Sequence, residues 1–433
     1  MTALRDAARP HVVIVGGGFG GISTALALRH APVDVTLVDR TNHHVFQPLL
    51  YQVAIAILSP GEVAAPIRQI LASQRNTEVL MAEVCKVDVA SRRVELASGF
   101  DALHYDVLVL ATGAVTSYFG HPEFESYAQS LKSVGDATAV RGRILAAFER
   151  AELTHDPAER ARLLNFVLVG AGPTGVEMAG AIAELRGFTL PHEFRHIDPR
   201  TARVILLDAG DRVLAGFDPR LSRRVQRRLE RMGIEVRLNA RVERVDADGV
   251  IVGGERIESR TAVWTAGVLP SPAASWLGTP ADRAGRAKVA PDLTLPGHPE
   301  VFVIGDAAAF EQDGKPLPGV AQVAMQMGRF TARVIAARAT GRPAPATFRY
   351  HDIGNMAVIG RNYAVLDAPY LKLAGFMAWL IWAVIHIRSL NLFNARLLVL
   401  AQWAWTYLTR QHGARLIVRP PTVDRPAPPT AHA

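Results

Sequence analysis

The chain has 433 residues, 49% of them hydrophobic and 20% charged, with a net charge of +8, which leaves room for two or three domains and excludes a disordered or fibrous chain. Its single cysteine, Cys85, excludes an internal disulfide and any C-x-x-C redox pair. The positive charge comes without a Lys/Arg-rich arm, zinc-finger spacing or aromatic-basic RNA motif. Nucleic acid is therefore not expected as a partner, and anionic ligands or an anionic membrane surface remain.

The apolar run His11–Val15 reads as a strand and leads into Gly16-Gly17-Gly18-Phe19-Gly20-Gly21, after which Ile22 to His30 reads as a helix. In that setting G-x-G-x-x-G has a specific physics. Gly16 makes the tight turn, Gly18 lets the backbone approach a pyrophosphate, and Gly21 packs helix against strand while the helix N-terminus faces the negative charge. A second strand, Val33–Asp39, ends in Asp39, 23 residues after Gly16, where a carboxylate accepts the ribose hydroxyls of a nucleotide. The segment His43–Tyr51 is too apolar for a plain surface loop. Its adjacent His43 and His44 point to opposite sides of an extended chain, and no carboxylate or cysteine cluster joins them, so no metal is expected.

Strand-like segments follow at 78–84 and 93–96, and Cys85 is expected as a buried structural thiol. A buried strand from Tyr105 then runs into Ala111-Thr112-Gly113, whose small residues allow close approach of a cofactor. A helical pattern covers 135–152. The strand Asn165–Val169 opens a second fingerprint, Gly170-Ala171-Gly172-Pro173-Thr174-Gly175, with glycine roles at Gly170, Gly172 and Gly175. The matching acidic strand end is Asp208, 38 residues after Gly170, with the extra length around 188–201. A carboxylate there favours NADH over NADPH, although Arg212 lies nearby. The basic run 220–231 carries Leu221, Val225 and Leu229 at helical spacing, the pattern of an amphipathic helix with a solvated face. The strand from Thr261 exits through Thr265-Ala266-Gly267, an echo of the first half, so the chain reads as an internal duplication.

A further buried strand, Val301–Ile304, ends in Gly305-Asp306. Beyond it, Ala321, Gln322 and Gln326 open a helical stretch in which the two glutamines, four apart, share one face. From about residue 356 the character changes. The stretch Leu373–Ile387 is uncharged and Trp-containing but shorter than the roughly 20 residues a spanning helix needs. A second helical stretch covers Leu392–Leu408. With Trp379, Trp382, Trp403, Trp405 and Tyr407 as boundary aromatics, and Arg388, Arg396, Arg410 and Arg415 as charges for anionic headgroups, the expectation is two helices lying in the membrane interface. A spanning helix and a buried domain or dimer interface are the competing readings. The Pro-rich segment 420–433 reads as disordered.

On these residues the chain resembles the two-dinucleotide flavoprotein oxidoreductases, and within them the type II NADH dehydrogenases, single-subunit NADH:quinone oxidoreductases that pump no protons. The paired loops, Ala111-Thr112-Gly113 and Gly305-Asp306 carry the wider resemblance. Phe46-Gln47-Pro48-Leu49-Leu50-Tyr51, Glu177, Ala321 through Gln326 and the Trp-rich C-terminus carry the narrower one. The resemblance implies an α/β fold of two Rossmann-like dinucleotide-binding domains with a C-terminal helical membrane-associating region. The implied division is 10–115 and 286–340 for FAD, 116–285 (core 164–270) for NADH, 341–418 for membrane anchoring and 419–433 for a tail. It implies FAD on Gly16, Gly18, Gly21, Asp39, Thr112, Gly113, Asp306 and Ala321, and NADH on Gly170, Gly172, Gly175, Asp208 and Gly267. Catalytic roles are implied for Glu177, near the nicotinamide, and for Gln322 and Gln326, beside the flavin at the mouth of a quinone tunnel. Asp39 stands where a Glu is common, which leaves the role intact. The implied activity is NADH:quinone oxidoreduction at the cytoplasmic face of the inner membrane by a peripheral protein, with a membrane quinone, anionic lipids and a possible homodimer as partners. No signal-peptide h-region follows the N-terminus, which agrees with a cytoplasmic body. The single cysteine argues against sulfide:quinone and disulfide chemistry. A soluble ferredoxin- or rubredoxin-type reductase, or a flavin-binding redox sensor with little turnover, remain the alternatives.

Overall fold

A computed structural model describes residues 9–418; the tail expected at 419–433 lies outside them. The chain forms two compact units, Met1–Val45 with Ala64–Val115 and Val268–Asp352, and Phe46–Val63 with Thr116–Gly267 and Ile353–Ala433. The first unit resumes at Val268, and the segments Phe46–Val63 and Ile353 onward fall in the second unit.

The first unit is built on a six-stranded sheet in the order Thr294–Leu295, His298–Val303, Val107–Leu110, His11–Val15, Asp34–Asp39, Thr77–Met81. All neighbours are parallel except the first pair. The inner strands His11–Val15, Asp34–Asp39 and Val107–Leu110 are largely buried on both faces, as parallel sheets require. Val12, Ile14, Leu37 and Phe302 line one core cluster, and Val13, Val38, Leu108 and Val303 line the other. The helix Phe19–Ala27 lies against the helix Ala321–Ala339 so closely that a Cβ on Gly328 would stand 2.8 Å from Thr24 Oγ1.

The strand expected at 78–84 is two strands in different sheets: Thr77–Met81 in the main sheet, and Val84–Asp88 in an antiparallel sheet with Arg93–Leu96 and Leu103–His104. Cys85 is a correction, since it is exposed rather than buried. The register with Arg93–Leu96 slips between Val84 and Lys86, so Cys85 falls at an irregularity and its thiol reaches Glu95 O at 3.4 Å.

The second unit has a five-stranded parallel sheet ordered Ala128–Ser130, Thr261–Trp264, Asn165–Val169, Arg203–Leu207, Ile234–Arg237. The helix Val134–Leu153 starts from a capping box in which Ser133 accepts from Asp136 N–H and Asp136 accepts from Ser133 N–H. The basic run forms the helix Pro219–Arg231, with Leu221, Val225 and Leu229 buried as their spacing requires. The insertion around 188–201 holds the end of a π turn, Leu185–Thr189, and a 3-10 turn, Pro199–Thr201.

After residue 353 an antiparallel meander forms, Asn355–Val358, Ala364–Ala368 and Leu371–Gly375, followed by the helices Phe376–Ser389 and Phe393–Thr409. The apolar stretch from Leu373 is thus strand first and helix second. Gly375, at φ 104°, turns the chain between them, a conformation open to glycine. No helix among the described residues is long and apolar enough to cross a membrane. The two helices pack through aromatic rings, Trp382 stacked on Trp403 at 5.1 Å and Trp379 tilted against Tyr407 at 5.7 Å. Phe376, Met377, Val384, Phe393, Leu397, Leu400 and Leu408 are left exposed.

Candidate functional site

The two Gly-rich loops share the same main-chain anchors. Gly16 N–H donates to Val38 O at 2.8 Å, and Gly170 N–H donates to Leu207 O at 2.7 Å. Both glycines sit near φ +105°, and a Cβ on either would collide with the small-residue exit of the neighbouring strand, Ala111 for Gly16 and Ala266 for Gly170. That collision explains why positions 16 and 170 are glycine. A Cβ on Gly21 or Gly175 would strike the carbonyl of Gly16 or Gly170, so the third glycine is needed for the helix to start against its own loop.

Each strand-end carboxylate locks its loop. Asp39 Oδ2 accepts from Gly17 N–H at 2.6 Å, and Asp208 Oδ2 accepts from Ala171 N–H at 2.6 Å. The other oxygens are also held, Asp39 Oδ1 by Thr41 N–H at 2.7 Å and Asp208 Oδ1 by Gly210 N–H at 2.7 Å. A carboxylate has about four lone-pair sites, so both remain able to accept from a ribose. Arg212 turns away from this role, donating to Ala215 O at 2.8 Å.

The cradle fits a dinucleotide pyrophosphate at both places. Gly18 and Gly172 cap the two helices without a side chain, and a Cβ on either meets nothing within 4 Å. Helix N–H groups therefore face open space, the arrangement that receives a phosphate. In the first unit Gly113, at φ +67°, also opens onto free space, and Thr112 Oγ1 bonds Ser271 Oγ. Asp306 lies in the turn Gly305–Ala307, half-buried beside Gly319. In the second unit the ring of Phe119 lies against Gly267, where a Cβ would stand 2.9 Å from its Cε2.

Ala321 opens the helix that carries Gln322 and Gln326 on one face, as their spacing predicts. Gln326 is engaged by main chain: its Nε2 donates to His351 O at 2.9 Å and its Oε1 accepts from His351 N–H at 3.0 Å. Gln322 is half-buried and makes no such bond among the described residues.

Glu177 lies on the helix Pro173–Glu184 and is buried, 8% exposed. Burial pushes its carboxyl up to about 8, against the opposing bond from Val358 N–H to Oε1 at 3.2 Å. Glu184, two turns on, is likewise raised by burial and accepts from Arg361 N–H at 2.5 Å. Sequence reasoning missed Glu184, although its seven-residue interval from Glu177 in an Ala-rich helix marks a shared face. Also missed was a buried polar chain in which Trp403 Nε1 donates to Gln52 Oε1 at 2.7 Å and Gln52 Nε2 donates to Tyr51 OH at 2.9 Å. Of the four C-terminal arginines, Arg415 pairs with Glu193, Arg410 lies over the Phe188 ring, Arg396 donates to Leu390 O, and Arg388 faces solvent. No cluster of three or more His, Cys, Asp or Glu residues that could hold a metal occurs among the described residues.

Residues 10–328 match the family described as pyridine nucleotide-disulphide oxidoreductase. The chain is 47% identical over 418 residues to the type II NADH:quinone oxidoreductase Ndh of Mycobacterium tuberculosis, spanning 94% of this chain and 89% of that one. It is 46% identical to NdhA of the same organism, with the same coverage. Among solved structures, NDH2 from Plasmodium falciparum in complex with NADH superposes with a TM-score of 0.86 at 20% identity, covering 95% of this chain and 100% of that one.

Proposed function

The chain belongs to the pyridine nucleotide-disulphide oxidoreductase family and, within it, to the type II NADH:quinone oxidoreductases, and on that premise we propose that it is an FAD-dependent enzyme that oxidises NADH and reduces a membrane quinone without pumping protons. The observation that carries this reading is the duplication, two loops with the same carboxylate-to-main-chain lock in a chain with one cysteine. Two dinucleotide cradles serve electron transfer between two cofactors. One exposed cysteine leaves no thiol pair to relay the electrons.

Gly16, Gly18, Gly21, Asp39, Thr112, Gly113, Asp306 and Ala321 would hold FAD, and Gly170, Gly172, Gly175, Asp208 and Gly267 would hold NADH. Bound there, the flavin supplies hydride acceptance from NADH and delivery of two electrons to quinone. The protein's own part is orientation and proton supply. Glu177, protonated at neutral pH because burial holds its carboxyl near 8, keeps a proton within the second unit. Gln322 offers an uncharged donor and acceptor, and Gln326, tied to His351, holds the segment after residue 348 against its helix.

The exposed apolar residues of Phe376–Ser389 and Phe393–Thr409 support peripheral binding at the cytoplasmic face of the inner membrane, with Arg388 available to anionic lipid headgroups. Pairing of two copies would cover the same face. The deciding experiment is steady-state NADH oxidation by the FAD-loaded protein with a short-chain quinone and, separately, with ferredoxin. Rapid turnover with quinone and little with ferredoxin supports the reading. Turnover with ferredoxin alone overturns it.

A further inference from the structure

A hydrogen-bond chain in the second unit has a direction, and one side chain sets it. Indole N–H can only donate, so the 2.7 Å contact between Trp403 Nε1 and Gln52 identifies the carboxamide atom there as oxygen. The amide nitrogen of Gln52 therefore faces Tyr51 OH, at 2.9 Å, and donates to it. Having accepted that bond, the phenol oxygen must direct its own hydrogen elsewhere. Tyr51 is 5% exposed, and no acceptor for its O–H occurs among the described residues.

The chain is held stiffly. The Trp403 ring is stacked on Trp382 with 23° between planes, and Tyr51 and Gln52 share the short buried helix Leu50–Ala54. Burial and the Glu177 carboxyl push the phenol well above its ordinary range, so it stays neutral and keeps its proton. A neutral, desolvated donor suits a neutral carbonyl oxygen, because pairing a charge there would cost far more. The helix that carries Trp403 also carries the exposed Leu397, Leu400 and Leu408, an apolar face on the same element.

We propose that the Tyr51 O–H donates a hydrogen bond to a carbonyl oxygen of the quinone, and that Trp403, through Gln52, is the positioning residue that keeps Tyr51 a donor. This rests on the quinone reading above. Reduction places negative charge on that oxygen, so the bond strengthens as electrons arrive. Without the indole N–H, Gln52 is free to turn over, and the phenol then donates to its carbonyl instead.

The test is isotope-edited infrared spectroscopy of a carbonyl-labelled short-chain quinone bound to the FAD-loaded protein. The wild type should show one carbonyl band lowered by hydrogen bonding. Tyr51→Phe and Trp403→Phe should both lose that band and lower kcat/KM for quinone by about tenfold, the size of one lost hydrogen bond. Trp403→His, which restores an N–H donor, should recover it. Gln52→Glu, whose carboxylate accepts from both neighbours and so claims the phenol proton, should lose the band with Trp403 in place. Flavin content shows which variants are folded. A band that persists in Tyr51→Phe overturns the proposal, as does one lost in Tyr51→Phe but kept in both Trp403→Phe and Gln52→Glu. A wild type that turns over no quinone overturns the underlying reading instead.

Discussion

Asp208 Oδ2 lies 2.6 Å from the main-chain nitrogen of Ala171, so the carboxylate proposed to select the nucleotide also shapes the Gly-rich loop beside it. On that proposal its charge repels the 2′-phosphate of NADPH, and Arg212 donates to Ala215 O. Asp208→Ala should therefore reduce the preference for NADH over NADPH by about tenfold while raising KM for both, since the lock on Ala171 is lost as well. Comparison of kcat/KM for the two nucleotides measures this. An unchanged ratio would assign selectivity to another residue.

Glu177 predicts a pH dependence of stability with a definite sign. Unfolded, the carboxyl ionises near 4.5; folded, burial holds the proton to about 8. The unfolded chain therefore sheds this proton first, and the contribution present below pH 4.5 is lost as pH rises through 8. Between pH 5 and pH 9 that amounts to roughly 4 kcal/mol at about 1.4 kcal/mol per pH unit. Glu177→Gln, which mimics the protonated side chain, should flatten this part of the profile. The apparent melting temperature of the variant should exceed that of wild type at pH 9 and approach it at pH 5. Equal profiles would contradict the assignment.

Two imidazoles act in the opposite direction. His412 Nδ1–H donates to Ile55 O and His386 Nδ1–H to Trp382 O, and burial lowers each ring to about 4. Their contribution is intact above pH 6.5 and is lost as pH falls toward 4, because only the unfolded chain gains those protons on the way down. His412→Asn, which keeps a short donor but cannot titrate, should reduce acid lability between pH 6.5 and 4, read by urea melts across that range.

Phe119 covers Gly267 from a strained backbone at φ +52°. If the ring stands where the nicotinamide must come, Phe119→Ala should lower KM for NADH severalfold, because a competing conformer is removed. A rise in KM would show that the ring contacts the nucleotide instead.

Membrane binding is better tested by substitution than by deletion. Truncation near Pro369 would remove the strand Leu371–Gly375 from its sheet and break the contact of Lys372 with Asp218 at 2.5 Å. Replacing Leu397, Leu400 and Leu408 by serine touches only exposed positions. The triple variant should keep its FAD and fail to sediment with anionic vesicles. Continued sedimentation would place the contact elsewhere.

What could be read from the sequence follows physical rules of short range. The glycine loops and the Ala-Thr-Gly exit are legible because each meets a local steric demand, and Asp39 and Asp208 because a strand-end carboxylate is placed to accept from the adjacent loop. The helix Pro219–Arg231 was legible because its apolar spacing is regular. Cys85 was misplaced because an irregular register between two strands decides its exposure, and pairing register is a tertiary property. The apolar stretch from Leu373 reads as helix in sequence, yet its first residues, to Gly375, end a strand, since a short apolar run carries no periodicity to separate the two. The chain Trp403–Gln52–Tyr51 joins residues about 350 positions apart, and no spacing rule reaches that far.

The most direct test of the central claim is rapid mixing under anaerobic conditions. The FAD-loaded protein is first bleached with one equivalent of NADH and then mixed with a short-chain quinone while flavin absorbance is followed. Bleaching by NADH and full recovery of absorbance within the turnover time on adding quinone are expected. A flavin that NADH bleaches but quinone leaves reduced would contradict it.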